Sequence, residues 1–73
     1  MSVQIRINDP NLLGDLVASF ERACCRVEAM GRDMLVVSSP SALLTAAQAR
    51  REIGFYLATW QIRHPGARAE FVD

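Results

Sequence analysis

The sequence predicts an α+β domain in which two helices cover an antiparallel sheet of four strands. Apolar and polar residues alternate in four short segments, which is the period of a strand with one buried face. In two longer segments the apolar residues recur every three or four residues, which is the period of an amphipathic helix. The order is therefore strand, helix, strand, strand, helix, strand. At 73 residues the chain is expected to be a single domain, residues 1–73.

The first strand and the first helix follow from local signals. Val3, Ile5 and Ile7 alternate with polar residues and predict a half-buried strand. Asp9 is a favoured N-cap residue and Pro10 suits the first helical position, so a helix is expected to begin there and to continue to about residue 25. Its buried stripe is expected to comprise Leu13, Leu16, Val17, Phe20 and Cys24.

A hairpin is predicted after the first helix. Residues 26–30 and 34–38 have the period of strands and flank a polar connection in which Gly31 can adopt positive φ. Serine and proline then end the third strand, and residues 42–44 lead into the second helix.

The second helix has the clearest boundaries. Thr45 and Gln48 form a capping box, in which each side chain bonds the backbone amide of the other residue, so the helix should begin at Ala46. Pro65 and Gly66 should end it. The core stripe is expected to comprise Ala46, Ala49, Ile53, Tyr56, Leu57 and Trp60.

Residues 67–71 alternate again and predict a last strand. Right-handed crossovers then give the sheet order 4-1-3-2 with both helices on one face, which is the ferredoxin-like βαββαβ two-layer sandwich. In this sheet Glu70 should lie opposite Arg6, because the other register would place Arg68 there and oppose two like charges.

Two apolar surfaces should remain uncovered in this fold. On the open sheet face, the third strand shows either Leu35 and Val37 or Met34 and Val36, depending on the hairpin register. We take the first pair, Leu35 and Val37, as candidate interaction residues.

The second surface is the back of the second helix. Phe55 and Ile62 point away from its core stripe, with Arg51 and Thr59 beside them, and could contact a second subunit or a partner helix. The alternative is that exposed hydrophobic residues are ordinary and that neighbouring side chains and the loop at residues 38–44 cover these two.

The composition limits the classes of partner and the cellular compartment that we expect. Eight acidic residues balance eight basic ones, all Arg, so the positive field that non-specific binding to nucleic acid or membrane surfaces needs is missing. The N-terminal residues MSVQIRIND indicate neither a signal peptide nor a membrane span, and a cytoplasmic protein is expected. Cys24 and Cys25 are adjacent, which strains a disulfide, so reduced structural thiols are expected, with Cys24 in the core.

No catalytic, cofactor or metal site is predicted. The two cysteines would point about 100° apart on a helix, and the carboxylates are scattered singly along the chain. His64 should cap the second helix, whose C-terminus favours its cationic form. A general base would need an orienting partner, and the sequence shows no evident one.

Two resemblances add little to this interpretation. The run ARREI at residues 49–53, followed by Tyr56, Leu57, Trp60 and HPG at residues 64–66, resembles short stand-alone bacterial proteins of unknown function. The topology is similar to that of ACT domains, whose effector sites form at subunit interfaces, and this likeness makes a small-molecule ligand compatible with the chain. RNA-recognition domains share the topology, but they carry aromatic residues on strands one and three that are missing here.

We therefore expect a non-enzymatic protein-interaction or self-associating module. Its partner should be a second copy of the chain, in a homodimer, or another protein, and not nucleic acid or a membrane. The alternative is an ACT-like regulatory domain that senses a small metabolite at a subunit interface.

Overall fold

The computed structural model describes residues 2–39 and 45–72. A short 3-10 helix, Pro10–Leu12, precedes the first α-helix, and the other elements follow in the predicted order. The strands are β1 (Ser2–Ile7), β2 (Arg26–Met30), β3 (Met34–Ser38) and β4 (Ala69–Phe71), and the α-helices are α1 (Leu13–Arg22) and α2 (Ala46–Arg63). The predicted link at residues 40–44 lies outside the described residues.

The four strands form one antiparallel sheet in the order β2-β3-β1-β4. This is the predicted order read from the opposite edge, so the α+β class with a four-stranded antiparallel sheet and two helices is confirmed. Arg6 lies opposite Glu70, as the charge argument required. Gly31 has φ +74° in the connection between β2 and β3, a conformation that glycine adopts at little cost.

The core lies on one face of the sheet, and both α-helices contribute to it. Buried and exposed residues alternate strictly along β1, so its Val3, Ile5 and Ile7 face the helices. The helices add a second set of buried side chains: Leu13, Leu16, Phe20, Ala49, Ile53, Leu57 and Trp60. The helix stripes were therefore predicted largely correctly, except that Ala46 and Cys24 are exposed and Val17 and Tyr56 are half-buried.

The prediction for β3 was wrong in its choice of face. Leu35 and Val37 are 0% exposed, because they pair with Ile5 and Val3 of β1, which face the helices. Residues on opposite sides of a strand alternate, so Met34 and Val36 are the ones on the open sheet face.

The first helix also departs from its prediction. Asp9 caps the 3-10 helix instead of α1, accepting from the Asn11 amide at 3.0 Å. The helix then ends at Arg22, and Cys24 adopts a left-handed conformation with φ 64°. This turn places Cys24 in solvent and buries Cys25, the reverse of the predicted assignment.

Helix α2 confirms its predicted boundaries. Thr45 Oγ1 accepts from the Gln48 amide at 3.2 Å, and Gln48 Oε1 accepts from the Thr45 amide at 2.9 Å. His64 is the C-cap residue, as predicted, and Gly66 has φ +92° just beyond it.

Candidate functional site

The most exposed large apolar side chains of the described chain are on the back of α2. We define the outer ridge as the solvent-facing residues Arg51, Phe55, Ala58, Thr59 and Ile62. Phe55 is 69% exposed and Ile62 is 80% exposed. These values contradict the alternative that neighbouring side chains cover the two residues, while the loop named in that alternative falls largely on residues outside the described ranges. The predicted exposure of Phe55 and Ile62 is therefore confirmed.

Local contacts hold the outer ridge in place before any partner arrives. The Phe55 ring packs edge-on against Tyr56, with centroids 6.1 Å apart and planes at 69°. Thr59 donates its hydroxyl proton to the Phe55 carbonyl at 3.0 Å, and Tyr56 donates to Glu52 Oε1 at 3.3 Å. These contacts restrict the Phe55 ring and the Thr59 hydroxyl, so binding a partner would fix less rotamer freedom at those two residues.

A depression lies beside Phe55 at the N-terminal end of the outer ridge. Its volume is about 410 Å³, and its lining residues are Gln48, Arg51, Glu52, Phe55 and Tyr56. The first four occupy positions i, i+3, i+4 and i+7 of one helix face. This is the set of four residues that receives a side chain when two helices pack by knobs into holes.

The open sheet face is the second uncovered surface. It carries Met30, Met34, Val36 and Val72 among polar residues, and Arg6 donates to the Met34 sulfur at 3.8 Å. Arg6 and Gln4 stand on β1 between β3 and β4, so they separate the methionines from Val72. The apolar area is therefore divided by polar groups, unlike that of the outer ridge.

A polar cluster joins the two α-helices on their outer side. The Asp15 carboxylate, through Oδ2, accepts from the Trp60 indole nitrogen at 2.8 Å and lies 3.0 Å from His64 Nε2. His64 stacks on Trp60 with centroids 4.4 Å apart, and its Nδ1 lies 2.9 Å from the Trp60 carbonyl oxygen. Each ring nitrogen lies within hydrogen-bond distance of an oxygen, so the imidazole links the C-terminal end of α2 to the first turn of α1.

The sequence interpretation missed Asp15 as the partner of His64. The two residues are 49 positions apart, and no local motif connects them. A topological signal did exist: Asp15 lies in the first turn of α1 and His64 caps the end of α2. Consecutive helices of this sandwich run antiparallel, so those two ends meet.

A small groove of about 160 Å³ runs between the helices beside this cluster. Its lining is mixed, with polar and apolar surface in similar amounts, and comprises Asp15, Ser19, Arg22, Tyr56, Thr59, Trp60, Arg63 and His64. Thr59 belongs both to this groove and to the outer ridge, so the two features are neighbours.

The cysteines are free thiols in unlike surroundings. Burial raises the pKa of the Cys25 thiol above its ordinary value of 9.0, and the negative charge of Glu52 raises it further. Partial burial, followed by the charge of Glu52, likewise raises the pKa of the Tyr56 hydroxyl above 10.0. Within residues 2–39 and 45–72, no group of three or more His, Cys, Asp or Glu side chains is placed to hold a metal ion.

Comparison with protein-family models, curated proteins and solved structures gives no match to this chain. The resemblance of residues 49–66 to short bacterial proteins therefore gains no support. Among the helices that the structure describes, none has both the length and the apolar character needed to cross a membrane.

Proposed function

We propose that this protein is a ferredoxin-like βαββαβ domain that acts as a protein-interaction module and self-associates as a homodimer. The observation that carries the proposal is the exposure of Phe55 and Ile62, at 69% and 80%, on one ridge of α2. Large apolar side chains gathered on one surface of a soluble domain are typical of contact sites.

The size of the chain supports self-association. A domain of this length buries only about 60% of the surface that its unfolded chain exposes, so its core alone leaves it marginally stable. Covering Phe55 and Ile62 removes apolar area from water, and full burial of such a side chain contributes about 1.5–3 kcal/mol. Because two copies bury the same residues, each contact is made twice.

We propose that the protein is cytoplasmic. Cys24 is an exposed free thiol beside a buried one, and such thiols persist where the surroundings are reducing.

Light scattering coupled to size exclusion tests the proposal over a range of protein concentrations. The wild-type chain should show a dimer mass at high micromolar concentration, and Phe55→Glu should remain a folded monomer because Phe55 contributes little to the core. Met30→Glu is the matched control, since Met30 is 49% exposed but lies on the sheet.

Two other outcomes would count against this interface. A wild-type chain that stays monomeric at high micromolar concentration contradicts self-association. A dimer that survives Phe55→Glu and dissociates with Met30→Glu moves the interface to the open sheet face.

A further inference from the structure

Four outer-ridge residues have a spacing that reads the same in both directions. Arg51, Phe55, Ala58 and Ile62 follow one another at intervals of four, three and four residues. When two copies of such a ridge meet antiparallel, the first position of one copy faces the last position of the other. The two inner positions face each other in the same way, so the ridge is complementary to itself.

We infer that two copies of this chain pair their α2 helices antiparallel about a twofold axis between Phe55 and Ala58. Ile62 of each copy then enters the depression beside Phe55 of the other. This inference rests on the proposed self-association and adds to it the interface, its direction and its register.

The shapes of the facing side chains agree with this register. Phe55, a large residue, faces Ala58, a small one, so the helices can approach closely without a void or a clash. Ile62, the most exposed large apolar residue described, faces the hole bounded by Gln48, Arg51, Glu52 and Phe55. The twofold axis repeats both contacts, which gives the dimer two filled holes and two pairs of large and small residues.

The polar groups at the contact also fit. Thr59 flanks the paired ridges with its hydroxyl already bonded to the Phe55 carbonyl, so covering it leaves no unpaired donor. Arg51 faces the C-terminal turn of α2 in the second copy, where the helix dipole favours a cation and where Arg63 already stands. The stem of Arg51 can pack on Ile62 of that copy while its charged end stays in water.

A residue exchange tests the register. Phe55→Ala removes the large partner, and Ala58→Phe brings two phenylalanines face to face, so each change alone should weaken the dimer by about tenfold or more. The double variant Phe55→Ala/Ala58→Phe restores one large and one small residue in every facing pair. The double variant should dimerise at least about tenfold more tightly than the weaker of the two single variants. A double variant as weak as the product of the two single losses overturns the inference.

Cross-linking tests the geometry independently, in a Cys24→Ser background that removes the exposed native thiol. Ala58→Cys places thiols next to the twofold axis and should be joined rapidly by a short bismaleimide. Ala47→Cys, exposed in the first turn of α2 and about 16 Å along the helix from Ala58, and Met30→Cys on the sheet are the controls and should react slowly.

These outcomes distinguish the inference from the proposed function. A dimer mass with cross-linking at Met30→Cys and not at Ala58→Cys overturns the helix pairing and leaves self-association standing. A monomer mass at high micromolar concentration, with slow cross-linking at every site, overturns both.

Discussion

The hydrogen bond from Trp60 to Asp15 joins α1 to α2, and its contribution can be measured. Trp60 is 3% exposed, and its indole nitrogen lies 2.8 Å from Asp15 Oδ2. Trp60→Ala would remove about 3–5 kcal/mol. At about 0.05–0.15 kcal/mol per residue, 73 residues give a stability of about 4–11 kcal/mol, and a domain this small belongs toward the low end, so this variant should lose most of its stability. Trp60→Phe keeps an aromatic ring in the core and removes the donor.

The expected magnitude follows from the exposure of the acceptor. A hydrogen bond to a charged group contributes about 1.5–3 kcal/mol in general. The Asp15 side chain is 47% exposed, so a carboxylate that loses its donor returns partly to water and the loss is smaller. We therefore expect a coupling free energy of about 1 kcal/mol between Trp60→Phe and Asp15→Ala in a double-mutant cycle. The cycle also cancels the separate effect of Asp15 on the α1 dipole.

Urea unfolding at one fixed protein concentration gives the four free energies that the cycle needs. Far-UV circular dichroism is the suitable signal, because Trp60 is the only tryptophan and fluorescence is lost with it. With a urea dependence of about 1–2 kcal/mol per molar, a change of 1 kcal/mol moves the midpoint by about 0.5–1 M. A coupling below about 0.3 kcal/mol lies within ordinary additivity and would refute the claim that this bond stabilises the helix pair.

Three further predictions concern α2, the hairpin and the buried thiol. Gly54→Ala should raise the free energy of unfolding by about 1 kcal/mol, because alanine favours a helix and the new Cβ would lie 3.6 Å from the Phe71 ring. Gly31→Ala should lower it by about 1–2 kcal/mol, since φ is +74° there, and urea unfolding measures both. The raised pKa of Cys25 means that stability is intact below about pH 9 and falls as the pH rises through the folded-state pKa. Unfolding titrations should show this fall, and Cys25→Ala should reduce it; an equally steep fall in the variant assigns it to other groups.

The parts of the fold that the sequence predicted well are those with strong local signals. The capping box of Thr45 and Gln48 depends on residues three positions apart, and α2 begins at Ala46, as the box predicts. The exposed positions of Phe55 and Ile62 followed from helical period alone, because the long helix keeps its phase from end to end.

The predictions that failed needed information from outside the segment concerned. Strand β3 is apolar on both sides, so only its pairing with β1 decides that Leu35 and Val37 are buried. Which cysteine is buried depends on where α1 ends. Because α1 ends at Arg22 and Cys24 is left-handed, Cys25 is buried and Cys24 is exposed. The contact between Asp15 and His64 likewise needed the topology before it could be recognised.

The physical difference between the two uncovered surfaces favours α2 over the sheet as the interface. Covering the open sheet face would also cover Arg6 and Gln4 at its centre, and taking a charged side chain out of water costs free energy even where an opposite charge, here Glu70 on β4, lies across from it. Along the outer ridge the corresponding central position is Ala58, which has no polar side-chain atom to desolvate. Arg51 stands at the end of the contact, where its charged group can remain in water. Covering the outer ridge therefore costs less desolvation free energy of polar and charged groups than covering the open sheet face.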